Sequence, residues 1–319
     1  MPKAHCSVFA ALASAALCLS ACSTSPRAAS PGALAAEPEP FQLVELAKLG
    51  PGANLEVSGI VRSHRDPTIF WTLGDSENPN RIYAIHAEGK TAESVRYGKE
   101  PGTIIGNAID CDWEDIALDA SGRIIICDIG NNSNARADLC FYFVPEPEPT
   151  EGRTSALSQV FIRYADQPSL PAPKNNFNYD AEAVYTIDDD IFILTKHRSD
   201  TLTTLYCLPN TPTDRATGVV HALSPIATFD TLGKVTGADA SPDGLHLAVL
   251  TYGRIWVFDR TSKSQSFFEG TVRSRRFLMP DGKSSDSESI CFENETSLLI
   301  ADEGRAALYR VPLSEIPVR

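Results

Sequence analysis

One short pattern recurs three times along this 319-residue chain, and its spacing constrains the fold more than any other feature. It reads Asp112-Trp113-Glu114, Asp180-Ala181-Glu182 and Asp286-Ser287-Glu288. Fourteen positions after each Glu, an apolar run closes on a charged residue: Asp128 (128 − 114), Lys196 (196 − 182) and Asp302 (302 − 288). Self-similarity at this scale marks a repeat architecture, in which each copy is one supersecondary unit. If each Glu faces its charged partner, the intervening turns centre on residues 121, 189 and 295. All three centres fall in polar segments, and two of these are typical turn sequence.

Around the repeats the chain reads as all-β. Short runs rich in Val, Ile, Phe, Tyr and Thr alternate with Gly, Asp, Asn, Ser and Pro. No window carries a long, capped amphipathic helix. Five modules align, with opening strands that start at Ser58, Glu114, Glu182, Thr236 and Glu288. Stronger second strands and aromatic third strands follow, then weaker fourth strands expected over 94–97, 158–164, 225–229 and 266–269. Four-stranded modules set around an axis make a β-propeller. Five blades are expected, with six, one of them degenerate, as the alternative. The last module runs out of chain after its third strand, while the apolar run 41–49 precedes the first module. That run is expected to supply the missing strand of the last blade, closing the ring and removing its open edge. Module spacings of 56, 68, 54 and 52 (58→114→182→236→288) exceed the roughly 40–45 residues of common blades. The excess sits in loops such as 145–154 and 166–178.

The amino terminus reads as a processing segment. Lys3 and His5 precede an apolar stretch, and Leu19-Ser20-Ala21-Cys22 matches the lipobox of bacterial lipoproteins. Residues 1–21 are therefore expected to be a signal peptide, with cleavage before Cys22 and acylation of its thiol. The apolar run is shorter than the ~20 residues of a spanning helix. Residues 22–40 form a Ser/Pro/Ala tether, and 41–319 a single propeller domain. The lipid bilayer is thus an expected partner. The address is the cell envelope, facing the periplasm, with the outer membrane favoured because Ser23 is not Asp. A formal charge of −13 argues against nucleic acid as a partner. A monomer is expected. Cys111, Cys127, Cys140, Cys207 and Cys291 make an odd set without a CxxC pair. Cys127 with Cys140 is the one bridge to test, and the rest read as small buried hydrophobes.

In a propeller, the start of each first strand and the end of each second strand meet at one face. The first set here includes Glu56, Ser58, Asp112, Glu114, Asp180, Glu182, Asp239, Asp286 and Glu288. Crowded carboxylates repel one another and need a cation or protons. Ca²⁺, with six to eight oxygen ligands, suits them. Glu114, Asp128, Glu182, Asp239, Glu288 and Asp302 are the candidate metal ligands. Asp75, Asn131, Asn132, Tyr252, Arg254 and Glu303 are candidates for ligand contact, either with a small anionic ligand or with an envelope protein. Lys196-His197-Arg198 is the one basic cluster on this acidic face. It can hold a phosphate or carboxylate, or Lys196 can simply pair with Glu182 across the hairpin. Glu114, Lys196, His197 and Arg198 form the candidate catalytic set, with His197 as a possible general base. The chain has no serine nucleophile elbow, Walker loop or dinucleotide fingerprint.

Asp112-Trp113-Glu114-Asp115-Ile116-Ala117, Asp128-Ile129-Gly130-Asn131-Asn132, Asp180-Ala181-Glu182-Ala183 and Thr236-Gly237-Ala238-Asp239-Ala240-Ser241-Pro242-Asp243-Gly244 carry a resemblance. Over residues 56–311 the chain resembles bacterial extracytoplasmic propellers, broadly the esterase-like phytase, SMP-30/gluconolactonase and NHL groups. That resemblance implies Ca²⁺ at the channel mouth and, in some members, hydrolysis of phosphoesters or lactones. In the gluconolactonase-like pattern the matching residues here are Glu114, Glu182, Asp239 and Glu288, and no Asn pair on separate blades completes it. The leading expectation is a non-catalytic, ligand-binding envelope protein, with a metal-dependent hydrolase as the rival.

Overall fold

Five antiparallel sheets stand around a common axis, and each Asp-x-Glu lies where an innermost strand begins. The computed structural model describes residues 28–29, 37–76, 78–92 and 101–319. The inner strands are Val57–Arg62, Trp113–Leu118, Asp180–Ile187, Val235–Ala240 and Ser287–Asn294. Each packs against the inner strands of the two neighbouring blades, so the ring is closed. The protein is a five-bladed β-propeller. Residues 1–21, Cys22 and most of the tether lie outside the described residues, as does the expected strand 94–97.

The ring closes as the sequence predicts: Glu45–Lys48 pairs antiparallel with Ala307–Pro312 and becomes the outer strand of the fifth blade. In the first blade Thr103–Ile105 fills the outer position, pairing with Arg81–His86. That is a departure from the expected 94–97, and a second fourth strand also differs from expectation. Phe267–Glu269 is a short 3₁₀ turn, and the outer strand of the fourth blade is Thr271–Leu278. Phe267 and Phe268 are buried in the layer between the third and fourth blades, so packing takes these residues out of the ladder.

The long loops have a structural use. Arg153–Thr154, from the loop after Pro145, adds a parallel edge strand to the first blade. Val220–Leu223 does the same for the second blade, Ala28–Ala29 for the third and Phe41–Gln42 for the fourth. Four outer edges are thereby covered, which suppresses edge-to-edge association.

The core is a set of five apolar layers, one between each pair of neighbouring blades. Trp71, Trp113 and Trp256 are all buried within them. Strand alternation sends neighbouring residues to opposite layers. Cys127 faces the layer between the second and third blades, whereas Cys140 faces that between the first and second. The bridge between them is therefore excluded, and all five cysteines are free.

The hairpin register corrects one expectation. In the second and fifth blades the ladder runs as predicted up to Ile116↔Ile126 and Ile290↔Ile300, and in the third it is one residue off. At the Glu itself the ladder breaks in a bulge. Asp128 then pairs with Trp113, Lys196 with Asp180 and Asp302 with Ser287. Similar breaks occur at Ser58 and Thr236, so all five inner strands carry a bulge near their starts. A bulge puts two residues against one, leaves the extra one unpaired and re-aims its side chain. Glu114, Glu182 and Glu288 are three such unpaired residues.

Candidate functional site

The five bulges encircle one end of the channel. A polar cavity of about 220 Å³ lies there, lined by Ser58, Asp75, Glu114, Asn132, Glu182, Lys196, Arg198, Tyr252, Glu288 and Glu303. The inner strands supply Ser58 and the three glutamates, Lys196 ends a second strand, and the others come from loops that follow second strands.

Within this mouth the carboxylates draw close. Asp75, Asp112 and Glu114 each bring one oxygen within 4.8 Å of the other two, and Glu114, Asp180 and Glu182 do the same. Glu114 is shared between the two groups and is buried. Its nearest neutral support is Ser58, whose hydroxyl lies 3.3 Å from Oε2 and donates at 2.6 Å to the Glu114 carbonyl. Burial, then the charges of Glu182 and Asp75, raise the Glu114 carboxyl well above its ordinary value. Burial, followed by Asp75, pushes Asp112 up to about 6. Asp75 is raised chiefly by burial. Gly130 makes this crowding possible. A Cβ there would lie 2.4 Å from Glu114 Oε1 and 2.5 Å from Asp112 Oδ2.

The two groups differ in how they are balanced. Lys196 Nζ stands 2.8 Å from Glu182 Oε2 and 5.1 Å from the centre of the Tyr252 ring. Arg198 Nη2 is 2.5 Å from Asp180 Oδ2 and 3.6 Å from Glu182 Oε1, and it also donates to Asn132 Oδ1. Burial works against the charge on Lys196, but Glu182 and Glu288 outweigh it and hold the ammonium protonated. Asp75, Asp112 and Glu114 have no such partner: among the described residues none of the three forms an ion pair. Glu288 accepts a 2.9 Å bond from the Tyr252 hydroxyl, while its Oε2 is buried with no hydrogen-bond partner among the described residues. Glu303 is pushed up to about 7 by burial and then by Glu288 and Asp75. An all-oxygen set this crowded suits a hard divalent cation, which supplies the missing positive charge.

Six of the residues singled out from sequence lie apart from this cluster. Asp128 accepts from the Asp112 amide and pairs with Arg136 at 2.7 Å, while Asp302 holds the Asp286 amide, Ser287 and Arg305. Asp239 is half-buried beside a separate cavity, where its Oδ2 accepts from the Phe292 amide of the next inner strand. Asn131 is buried and spends its side chain on Tyr179, Ala135 and Arg136. His197 has both ring nitrogens engaged, Nδ1 with Asp200 at 2.7 Å and Nε2 with Thr204 at 3.0 Å, and burial lowers its pKa. That leaves neither nitrogen for a substrate. Arg254 points away to the side of the fourth blade. Glu114, Glu182 and Glu288 do meet at the mouth, joined by Asp75, Asn132, Lys196, Arg198, Tyr252 and Glu303. Among the oxygens that come closest, Asp112 and Asp180 were absent from the ligand set read from sequence. Their signal was in plain view, as the first residue of each repeated triplet.

The chain matches no protein-family model and no curated protein. Solved structures that resemble it are propeller-containing proteins at low similarity. Hydrazine synthase of Kuenenia stuttgartiensis aligns at 10% identity and a TM-score of 0.42, over 80% of this chain and 71% of that one. The Cps50 (Swd1) β-propeller domain of Myceliophteria thermophila aligns at 11% and 0.38, over 80% and 83%. A catalytically inactive virginiamycin B lyase from Staphylococcus aureus, bound to quinupristin, aligns at 12% and 0.38, over 81% and 66%. Similarity this low carries no argument about activity.

Proposed function

We propose that this protein is a lipid-anchored propeller of the bacterial cell envelope whose acidic channel mouth holds Ca²⁺ and, through that ion, binds an anionic ligand or partner. The observation that carries this reading is the Asp75–Asp112–Glu114 group, three carboxylates within 4.8 Å of one another and without an ion-pair partner among the described residues. Ca²⁺ is favoured over Mg²⁺ because the donors come from separate blades and loops, a flexible oxygen set that fits six to eight ligands better than a strict octahedron. Lys196 and Arg198 stand at the same cavity and supply the contact for an anion. The lipobox and tether support the address.

Calorimetric titration of the chelator-treated protein with Ca²⁺ tests the ion. Saturable binding is expected, weakened about 100-fold, or ~2.7 kcal/mol, in Glu114→Gln. Absence of binding at millimolar Ca²⁺, or equal affinity in the variant, overturns the proposal. Labelling with a radioactive or alkyne-bearing fatty acid, lost in Cys22→Ser, tests the anchor.

A second reading, hydrolysis of phosphoesters or lactones, rests on the same juxtaposition of cations and carboxylates. A bound divalent ion would supply an activated water. The chain's own part would be to orient the ester through Arg198 and Lys196 and to accept a proton at Glu114. A panel of phosphomonoesters, phosphodiesters and lactones, assayed with Ca²⁺ and with chelator, decides between the two readings. Chelator-sensitive turnover that Glu114→Gln abolishes establishes the enzyme.

A further inference from the structure

A second cluster of unbalanced charge lies away from the channel, against the third strand of the fourth blade. There Arg254, Arg276 and Arg319 all converge on one oxygen, Oε1 of Glu37. Arg276 Nε lies 3.2 Å from it and Arg319 Nη2 3.0 Å. The side chains of Arg254 and Arg319 are only 7% and 3% exposed. Both stack over Trp256, with guanidinium carbons 5.3 Å and 5.6 Å from the ring centre. Arg254 has one further bond, from Nη1 to Ser274 Oγ.

Three guanidiniums against one side-chain carboxylate leave positive charge over. The surplus is visible in the bonding. Arg319 Nε and Nη2 are buried with no hydrogen-bond acceptor among the described residues, the contact to Glu37 being close but poorly directed. Burial, then repulsion from Arg254, lowers the Arg319 pKa. Orphaned charged donors in a buried site are costly. A carboxylate with a single bonded oxygen satisfies this pocket poorly. A phosphoryl group, with up to two charges and three oxygens, matches three converging forks well. Arg276 is 53% exposed and Glu37 35%, so the site is open on one side to exchange.

We propose that Arg254, Arg276 and Arg319 form a phosphoryl-anion site for which Glu37 is an internal competitor. Glu37 stands only fifteen residues after Cys22. Phosphoryl binding and Glu37 seating exclude each other, so an anion that enters displaces the Glu37 carboxylate from the three guanidiniums.

The test uses the chain carrying Cys22→Ser, which bears no acyl group, titrated with inorganic phosphate by calorimetry. Glu37→Gln is expected to bind phosphate about tenfold more tightly than the parent, because the competitor is gone. Adding the solvent-exposed Arg276→Gln to that variant should remove the gain without unfolding the blade, checked by an unchanged melting temperature. Flotation with phosphatidylcholine vesicles, with and without phosphatidate, separates the two sources of the anion. Phosphatidate-dependent flotation that is stronger in Glu37→Gln assigns a lipid headgroup, and calorimetric binding alone assigns free phosphate. Equal phosphate affinity with and without Glu37, together with equal flotation, overturns the proposal.

Discussion

Two kinds of buried charge coexist in this propeller, and the contrast separates architecture from function. Asp128 and Asp302 end the second strands of the second and fifth blades, and both are buried. Each is answered locally, by Arg136 and by Arg305, and each ties down the start of its own inner strand through a backbone amide. At the mouth, by contrast, Asp75, Asp112 and Glu114 crowd one another, and no described side chain forms an ion pair with any of the three. A fold gains nothing from the second arrangement alone, since burying like charges together opposes folding. The lesson is that an acidic residue in a repeat is informative only when its partner is missing.

Removing one half of a balanced pair should do the most damage. Asp302→Asn is expected to cost about 2 kcal/mol of stability, because it leaves Arg305 with Asp281 as its one carboxylate among the described residues and removes the charge that holds Ser287 and the Asp286 amide. A urea melt reads that loss, while Ca²⁺ affinity should hold. If stability is unchanged, the distinction between the two kinds of charge fails.

Next comes Gly130→Ala, which places a methyl against Glu114 and Asp112. Ca²⁺ affinity should fall at least about tenfold, ~1.4 kcal/mol, with the fold retained. Unaltered calcium binding would show that the two carboxylates need not approach each other.

The pH dependence sharpens the comparison further. Asp112 is raised to about 6 and Glu303 to about 7, above their ordinary values of 3.8 and 4.5. Folded protein therefore holds protons that the unfolded chain has already released. That stabilisation is complete at pH below about 4 and drains away as pH rises through 6 to 7. Chelator-treated protein should lose melting temperature over this range from these groups, and added Ca²⁺ should restore it most at the alkaline end. A calcium effect that is flat between pH 5 and 8 would contradict this.

The smallest effect has the opposite sign from the first. Without calcium, Glu114→Gln should gain about 1 kcal/mol, since it relieves repulsion at a site held for binding and not for stability. A destabilised Glu114→Gln would move Glu114 into the class of Asp302.

The triple Asp-x-Glu and its echo placed first strands near residues 114, 182 and 288, the aligned strand pattern added those near 58 and 236 and favoured five blades over six, and the spare apolar run 41–49 pointed to the closing strand, which is Glu45–Lys48. These properties are local and periodic, so they survive in a linear string. The site was legible only in part. Glu114, Glu182 and Glu288 could be picked out because they repeat. That Asp128, which shares the echo, turns to Arg136 eight residues later depends on a loop path that no pattern records. The turn at 267–269 was missed because two phenylalanines fit a strand equally well until a neighbouring blade needs them.

Sequence by itself thus determined the repeat, the all-β pattern and the acidity of one rim, since hydrophobic alternation and turn chemistry act over a few residues. Tertiary structure decided which acids lack a counter-charge. It bulged the inner strands near their starts, turned Glu114 toward Asp75 of another blade and toward Asp112 of its own triplet, and brought Arg319 from the far end of the chain to Glu37. Charge balance is set by distances in space between segments far apart in sequence, and only the closed ring fixes those distances.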